Sequence, residues 1–287
     1  MAYASKLTTT DWNEEWKELQ RRRGRFDDPA HWDARAKTFP TKHGSHSSYV
    51  DRFLALAAIR PGETVLDMGC GTGALATPLA QGGCKVVACD FSRGMLDAME
   101  AEQRALGVKG VKVLQLSWAD DWPAAGLGAK SVDVALASRS IATYDLGESL
   151  GKLTSTARRR ACITLPCGPS PKIGRRLLQA AGLPERLGAD FLYAFNILAD
   201  KGINPEVSYI PSSRREVFAS PEEALDHYRG LLDGGVDGIA SEEKLEAVPG
   251  RLRAWLADEL VQGPEGWVLR EPLEVDWAFI AWDCAGR

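Results

Sequence analysis

The sequence predicts a doubly wound α/β domain, and three observations predict it. Thr64-Val65-Leu66 is a short apolar and β-branched run that ends in Asp67, meets glycines at 69, 71 and 73, and continues into a helix-forming run over 74–80. That order is strand, tight loop, helix. A second strand-like run at 85–89 again closes on an acid, Asp90, and leads into a helical stretch over 93–106. The alternation then repeats, with strand-like runs at 111–116, 132–137 and 161–165 and with Leu146, Leu150 and Leu153 spaced for a helix between the last two. Strands separated by helices build a parallel sheet covered on both faces.

Glycines at alternate positions let the backbone take φ > 0 and approach a ligand with no Cβ in the way, while the helix beyond them offers unpaired N–H groups. A dinucleotide fingerprint is Gly-x-Gly-x-x-Gly, with a helix N-terminus left free for a pyrophosphate. Here the spacing is Gly69-x-Gly71-x-Gly73, with Asp67 two residues before the first glycine. A carboxylate there repels pyrophosphate and suits a ligand carrying an ammonium and a sulfonium. On these residues the chain resembles the class I S-adenosylmethionine-dependent methyltransferases, whose first motif is Asp/Glu-x-Gly-x-Gly-x-Gly.

The resemblance implies a Rossmann-like, seven-stranded, mostly parallel sheet whose last strand, here the alternating run at 275–282, lies antiparallel beside the fifth. It implies S-adenosyl-L-methionine as cofactor, held by Asp67, Gly69, Cys70, Gly71 and Gly73. It also gives Asp90 the two ribose hydroxyls, an acid's usual task at the end of a second strand. Phe91, Ser92 and Met95 then flank the adenine. In the family the turn after the third strand is commonly Gly-Asp-Ala-Glu, with its first Asp on the adenine amine, but this chain reads Ser117-Trp118-Ala119-Asp120. Trp118 either stacks on the ring, with Asp120 or the Ala119 and Asp120 backbone reading its edge, or packs with Trp122.

Ahead of the glycine bend, residues 1–60 read as a helical cap on a cofactor-binding domain over 61–287. Trp12, Trp16 and Leu19 recur at helical spacing, and the helix they predict ends near the basic run Arg21-Arg22-Arg23, where cations suit the helix dipole. His31-Trp32-Asp33-Ala34-Arg35-Ala36 is similar to a Trp-Asp-x-Arg-Ala element that caps the cofactor in many small-molecule methyltransferases, which implies that Trp32, Arg35, Phe39 and Tyr49 help close the site. His43 and His46 share one short loop, and either is a candidate general base. A helix over 51–59 is stopped by Pro61-Gly62, and Ser92 is a fair N-cap for the helix that follows it.

Ligands of open α/β sheets sit at the C-terminal strand edge, and the fourth strand ends there with Ser138 and Arg139. The resemblance puts the methyl acceptor at this edge, and Arg139 pairs either with an anionic substrate or with an acid such as Asp145. Residues 169–235, with a helix over 221–232 at their end, read as a mainly helical insertion lining the substrate side, followed by a helix over 241–262.

Composition narrows the classes. With 45% hydrophobic and 26% charged residues, the 287-residue chain is that of a soluble globular protein. A net charge of −4 argues against a dedicated nucleic-acid binder. Residues 1–10 lack the apolar core of a signal peptide and no run is long enough to span a bilayer, so a cytoplasmic location is expected. Six cysteines form no Cys-x-x-Cys pair, which makes reduced thiols the expectation, with no metal site. Taken together, the expected activity is methyl transfer to a small-molecule acceptor by direct displacement, by a monomer or homodimer. Non-catalytic cofactor binding, or methylation of RNA or protein, is the alternative.

Overall fold

The computed structural model describes residues 5–24, 29–36, 47–168, 172–184, 189–233 and 242–286. Four helices come first: α1 (Lys6–Thr9), α2 (Trp12–Arg23), α3 (Pro29–Ala36) and α4 (Ser48–Ala57). The alternating part follows as β1 (Thr64–Met68), α5 (Ala76–Gln81), β2 (Lys85–Asp90), α6 (Arg93–Ala105), β3 (Val111–Gln115), β4 (Val132–Ser138), α7 (Leu146–Thr156) and β5 (Ala157–Pro166). Then come α8 (Arg175–Ala181), α9 (Asp190–Asp200), β6 (Glu206–Arg214), α10 (Pro221–Asp233), α11 (Glu242–Glu259), β7 (Leu260–Gly263), β8 (Gly266–Leu269) and β9 (Leu273–Asp283). Among the described residues no helix is long and apolar enough to cross a membrane.

Seven strands form one sheet in the order β3-β2-β1-β4-β5-β9-β6. The pairs β1 with β2, β1 with β4, β2 with β3 and β4 with β5 are all parallel. β9 runs the other way: Cys284 N–H bonds the Arg159 carbonyl while Cys167 N–H bonds that of Asp276, so the partners count down as β5 counts up. The expected Rossmann-like sheet with an antiparallel last strand is therefore present. Central strands buried on both faces read as near-continuous apolar runs, and β1 and β4 come close to that: Val65, Leu66 and Met68, then Val132, Val134 and the 135–137 run, are all shielded from solvent. Strand order reverses between β1 and β4, and the C-terminal ends of strands at such a reversal form the crevice of this architecture.

The chain divides into two compact units. The first comprises Met1–Leu165, Tyr193–Ser208 and Phe279–Arg287, and the second comprises Pro166–Leu192 and Tyr209–Ala278. The second has its own core, in which Leu177, Tyr228, Leu252 and Leu256 meet Phe218 and Leu269. The segment 169–235 contains α8, α9, β6 and α10.

Four boundaries differ from the sequence reading. The bend after β1 continues as turns, so α5 begins at Ala76. β5 begins at Ala157 because its polar start is paired: Arg158 with Asp133, Arg159 with Glu63 at 2.7 Å, and Arg160 with Glu206 at 2.8 Å. α11 stops at Glu259, and 260–269 form the hairpin β7–β8 around Pro264-Glu265. Finally, α4 ends at Ala57 with Ala58 in the left-handed region, ahead of the proline that was expected to stop it.

Candidate active site at the ends of β1, β2 and β4

All three motif glycines have positive φ: 72° at Gly69, 54° at Gly71 and 85° at Gly73. Their surroundings divide the roles. A Cβ on Gly69 would lie 2.3 Å from that of Ser140, and one on Gly73 would lie 2.6 Å from Met99 Cγ, so both are glycine because neighbours fill the space. A Cβ on Gly71 would meet nothing within 4 Å. The bend is tied down by Gly69 N–H and Cys70 N–H, which both donate to the Cys89 carbonyl, at 2.7 and 2.9 Å. Ser140 completes the frame by donating its hydroxyl to the Met68 carbonyl at 2.6 Å.

Two carboxyl groups face this bend from neighbouring parallel strands, in register at Met68 and Cys89. Asp67 is buried and takes an N–H from Ala76, yet its Oδ2 has no hydrogen-bond partner. Burial first, and the charge of Asp90 second, push its carboxyl up to about 7. Asp90 is also buried; Oδ2 accepts from Gly71 N–H and Oδ1 from Ser92 N–H, both at 2.9 Å. Burial raises its pKa and these N–H groups partly offset that. A carboxylate oxygen with one N–H still has a free lone pair, so Asp90 fixes the bend and keeps acceptor capacity.

Beyond Asp90, Ser92 caps α6 by accepting from Met95 N–H at 3.2 Å. Asp33, in the Trp-Asp-x-Arg-Ala element on α3, accepts from the Ser92 hydroxyl and from Gly94 N–H. Those two bonds, the hydroxyl's first, lower its pKa. Asp33 was not singled out from sequence, because the helix N-terminus it serves lies 59 residues away. Trp32 and Arg35 sit together, with the guanidinium 5.6 Å from the ring centroid. Met95 is buried and Phe91 half-buried. Trp118 is buried, 5.4 Å from Trp122, and its indole N–H donates to the Ser140 carbonyl at 3.0 Å. Ala119 and Asp120 are exposed, and the Asp120 carboxylate closes its own turn on Ser117 N–H.

The end of β4 is built differently. The Tyr49 hydroxyl bonds Ser138 Oγ at 2.9 Å and Thr164 Oγ1 at 2.8 Å, linking α4, β4 and β5. Arg139 has φ of 60°, uncommon for a residue with a side chain, and donates its backbone N–H to the same Thr164 oxygen. Its guanidinium lies 3.5 Å from the Tyr49 ring centroid. Asp145, the acid suggested for Arg139, is engaged by Lys17 at 2.8 Å and Asn13 at 3.0 Å while it caps α7.

Helix α2 packs along the segment after β4. Asn13 holds Asp145 and Gly147, and the Trp16 indole donates to the Thr143 carbonyl at 2.7 Å. Trp16 is fully buried, with Tyr193 edge-on at 5.6 Å.

Asp67, the glycines, Cys70, Asp90, Ser92 and Met95 thus meet at the ends of β1 and β2, while Tyr49, Ser138 and Arg139 meet at the end of β4. Asp33, Ser140 and Thr164 connect these groups and were missed because their partners lie 59 to 115 residues away. His43, His46 and Phe39 lie outside the described residues. None of the six cysteines, all among the described residues, is joined in a disulfide.

A reversed strand order with two carboxyl groups and a glycine-rich bend at its switch point is the arrangement at which nucleoside-binding α/β folds take their ligands. A family model described as "Methyltransferase domain" matches residues 65–160, from β1 into β5. Nocamycin O-methyltransferase of Saccharothrix syringae is 32% identical over 233 residues, covering 80% of this chain and 76% of that protein. An uncharacterized protein of Haemophilus influenzae is 33% identical over 212 residues, covering 69% of this chain and 75% of its own. In fold alone the chain is similar to the YcgJ protein from Bacillus subtilis, with a TM-score of 0.51 at 12% identity over 83% of this chain and 99% of that one. The chain belongs to the class I S-adenosylmethionine-dependent methyltransferase superfamily and is a methyltransferase of that kind.

Proposed function

We propose that the protein transfers a methyl group from S-adenosyl-L-methionine to a small-molecule acceptor by direct displacement. The observation that carries this reading is the buried Asp67 carboxyl, with one oxygen unpartnered beside the bend whose Gly71 faces open space. A buried acceptor atom without a partner is costly, and an ammonium or sulfonium group satisfies it. In this reading Asp67, Gly69, Cys70, Gly71 and Gly73 hold the amino-acid half of the cofactor and Asp90 holds the ribose. Phe91, Ser92, Met95, Trp118, Ala119 and Asp120 surround the base, with Trp32 and Arg35 on the cap.

When bound, S-adenosylmethionine supplies a methyl group already activated by its sulfonium. The chain's own residues then have to align the acceptor and exclude water, and alignment alone can supply up to about 7 to 11 kcal/mol in favourable model systems. Arg139 and the hydroxyls of Ser138, Tyr49 and Thr164 are the groups proposed to face the acceptor, and the three linked hydroxyls can hold or pass a proton. His43 and His46 remain the candidate bases from sequence. The net charge of −4 and the relation to nocamycin O-methyltransferase support a small acceptor over a nucleic acid.

Calorimetry with S-adenosylmethionine and S-adenosylhomocysteine tests the reading. Wild type should bind both, and Asp90→Ala should weaken binding by about 100-fold, the loss of a charge-assisted pair to ribose hydroxyls. A wild-type protein that binds neither ligand would overturn it.

A further inference from the structure

Among the described residues, three other than glycine have positive φ: Ala58, Lys130 and Arg139. The fold accounts for two of them. Ala58 is the left-handed cap that ends α4, and Lys130 sets its ammonium against the Ala157 and Cys284 carbonyls at 3.0 and 2.9 Å. Arg139 lies instead at the C-terminal strand edge where α/β sheets take their ligands, and backbone strain held at such an edge is commonly part of a binding site. Its place is fixed from both sides. Its own N–H donates to Thr164 Oγ1 at 3.0 Å, while the next residue, Ser140, bonds the Met68 carbonyl and fills the space against Gly69. The guanidinium lies over the face of the Tyr49 ring, whose hydroxyl is tied to Ser138 and Thr164, so α4 keeps the charge at the strand end. Arg139 has exposed surface, yet desolvation by the protein around it lowers its pKa, with Tyr49 opposing. Exposed surface in crowded protein marks the wall of a concavity. Arg93 and Arg160, hydrogen-bonded to Asp97 and Glu206, have theirs raised. The surroundings of Arg139 thus work against its charge, and an anion beside it reverses that.

We infer that the methyl acceptor is a carboxylate-bearing small molecule, and that Arg139 is the specificity-determining residue that takes its carboxylate. A guanidinium presents its N–H groups as a planar fork that matches the two oxygens of a carboxylate. A phosphate group, with a charge of about −2 near neutral pH, is matched less well by a single guanidinium. This inference rests on the reading that the acceptor lies at the end of β4.

The test uses Arg139→Asn, which removes the charge with a residue that tolerates the left-handed backbone, and Arg139→Lys, which keeps the charge and loses the fork. Binding is measured by calorimetry on the full chain saturated with S-adenosylhomocysteine, with para-hydroxybenzoate, para-hydroxybenzamide and phenyl phosphate as probes. Wild type should bind the benzoate about tenfold or more tightly than the neutral amide, and more tightly than the phosphate. Arg139→Asn should erase the preference over the amide, and Arg139→Lys should keep only part of it. Affinity for S-adenosylhomocysteine should stay within about twofold in both variants, since a group that serves only the acceptor is uncoupled from the cofactor, and ligand-free Arg139→Asn should melt within a few degrees of wild type. Wild type without the preference, a tighter phosphate, or Arg139→Asn retaining the preference would each overturn the inference. So would a large loss of S-adenosylhomocysteine affinity in Arg139→Asn, which would assign the guanidinium to the cofactor's own carboxylate, or a much lower melting temperature, which would assign it to the fold. Failure of wild type to bind S-adenosylhomocysteine would instead sink the functional reading beneath it.

Discussion

At the ends of β1 and β2 the chain offers carboxyl groups and bare backbone, whereas at the end of β4 it offers hydroxyls and a guanidinium. The first region is built to attract positive charge and the second to donate to oxygen. They also differ in how they are held. The glycine bend is fixed by bonds between residues close in the chain or in neighbouring strands, while the β4 edge depends on Tyr49 joining Ser138 and Thr164 across 89 and 115 residues. On the proposed reading, a site divided this way can keep its cofactor half constant while its acceptor half changes with a few side chains.

The largest effect expected is from Gly69→Ala. Overpacking against Ser140, together with a side chain held at positive φ, should cost about 3 kcal/mol, measured by denaturant unfolding. Gly71→Ala should cost only about 1 kcal/mol of stability, since its Cβ meets no neighbour, while cofactor affinity falls at least tenfold by calorimetry. Equal destabilisation by the two would erase the division of roles among the glycines.

Charge at Asp67 sharpens the contrast through pH. Its folded pKa of about 7 lies above the ordinary carboxyl value, so the folded state binds the extra proton. Its contribution favours folding at acid pH and is lost as pH rises from about 4 to about 7. Asp67→Asn should flatten that part of the stability profile. Binding a cationic ligand near pH 6.5 should release a proton in wild type, visible as a buffer-dependent calorimetric heat, and release none in the variant.

On the β4 side, Tyr49→Phe removes one hydroxyl from two partners and should cost about 1 to 2 kcal/mol. Turnover should fall while S-adenosylhomocysteine affinity holds within twofold; a joint loss would mean that the two regions are not separable. The smallest change is Ser92→Ala, a lost helix cap of about 1 kcal/mol, read as a lower melting temperature with cofactor affinity reduced only modestly.

The proposed cofactor half, at the ends of β1 and β2, was legible because its signals are local. Asp67 to Gly73 and Asp90 to Ser92 are short strings in which spacing alone fixes strand, bend and cap, and α6 starts at the expected Ser92. The edge at the end of β4, proposed for the acceptor, was legible only as a strand end. Ser138 and Arg139 could be placed there, but nothing in the residues near Thr164 or Tyr49 says that the two share a hydrogen bond. Asp33 was passed over because an acid in a helix looks like solvated surface until the fold brings its partners to it. The same physics hid the start of β5, whose three arginines read as a polar break and are neutralised by Asp133, Glu63 and Glu206. The hairpin at 260–269 carried a signal in Gly263-Pro264-Glu265-Gly266 that the preceding helical pattern outweighed.

The position of β9 between β5 and β6 has a consequence for biogenesis. Both flanking strands emerge from the ribosome well before the one that must separate them, and β6 is followed by roughly sixty residues before β9 appears, several seconds at usual elongation rates. Through that interval the nascent sheet exposes two unpaired edges of the kind that invite aggregation. Chaperone dependence during synthesis, and slow refolding of denatured full-length chains, should therefore trace to insertion of this one strand.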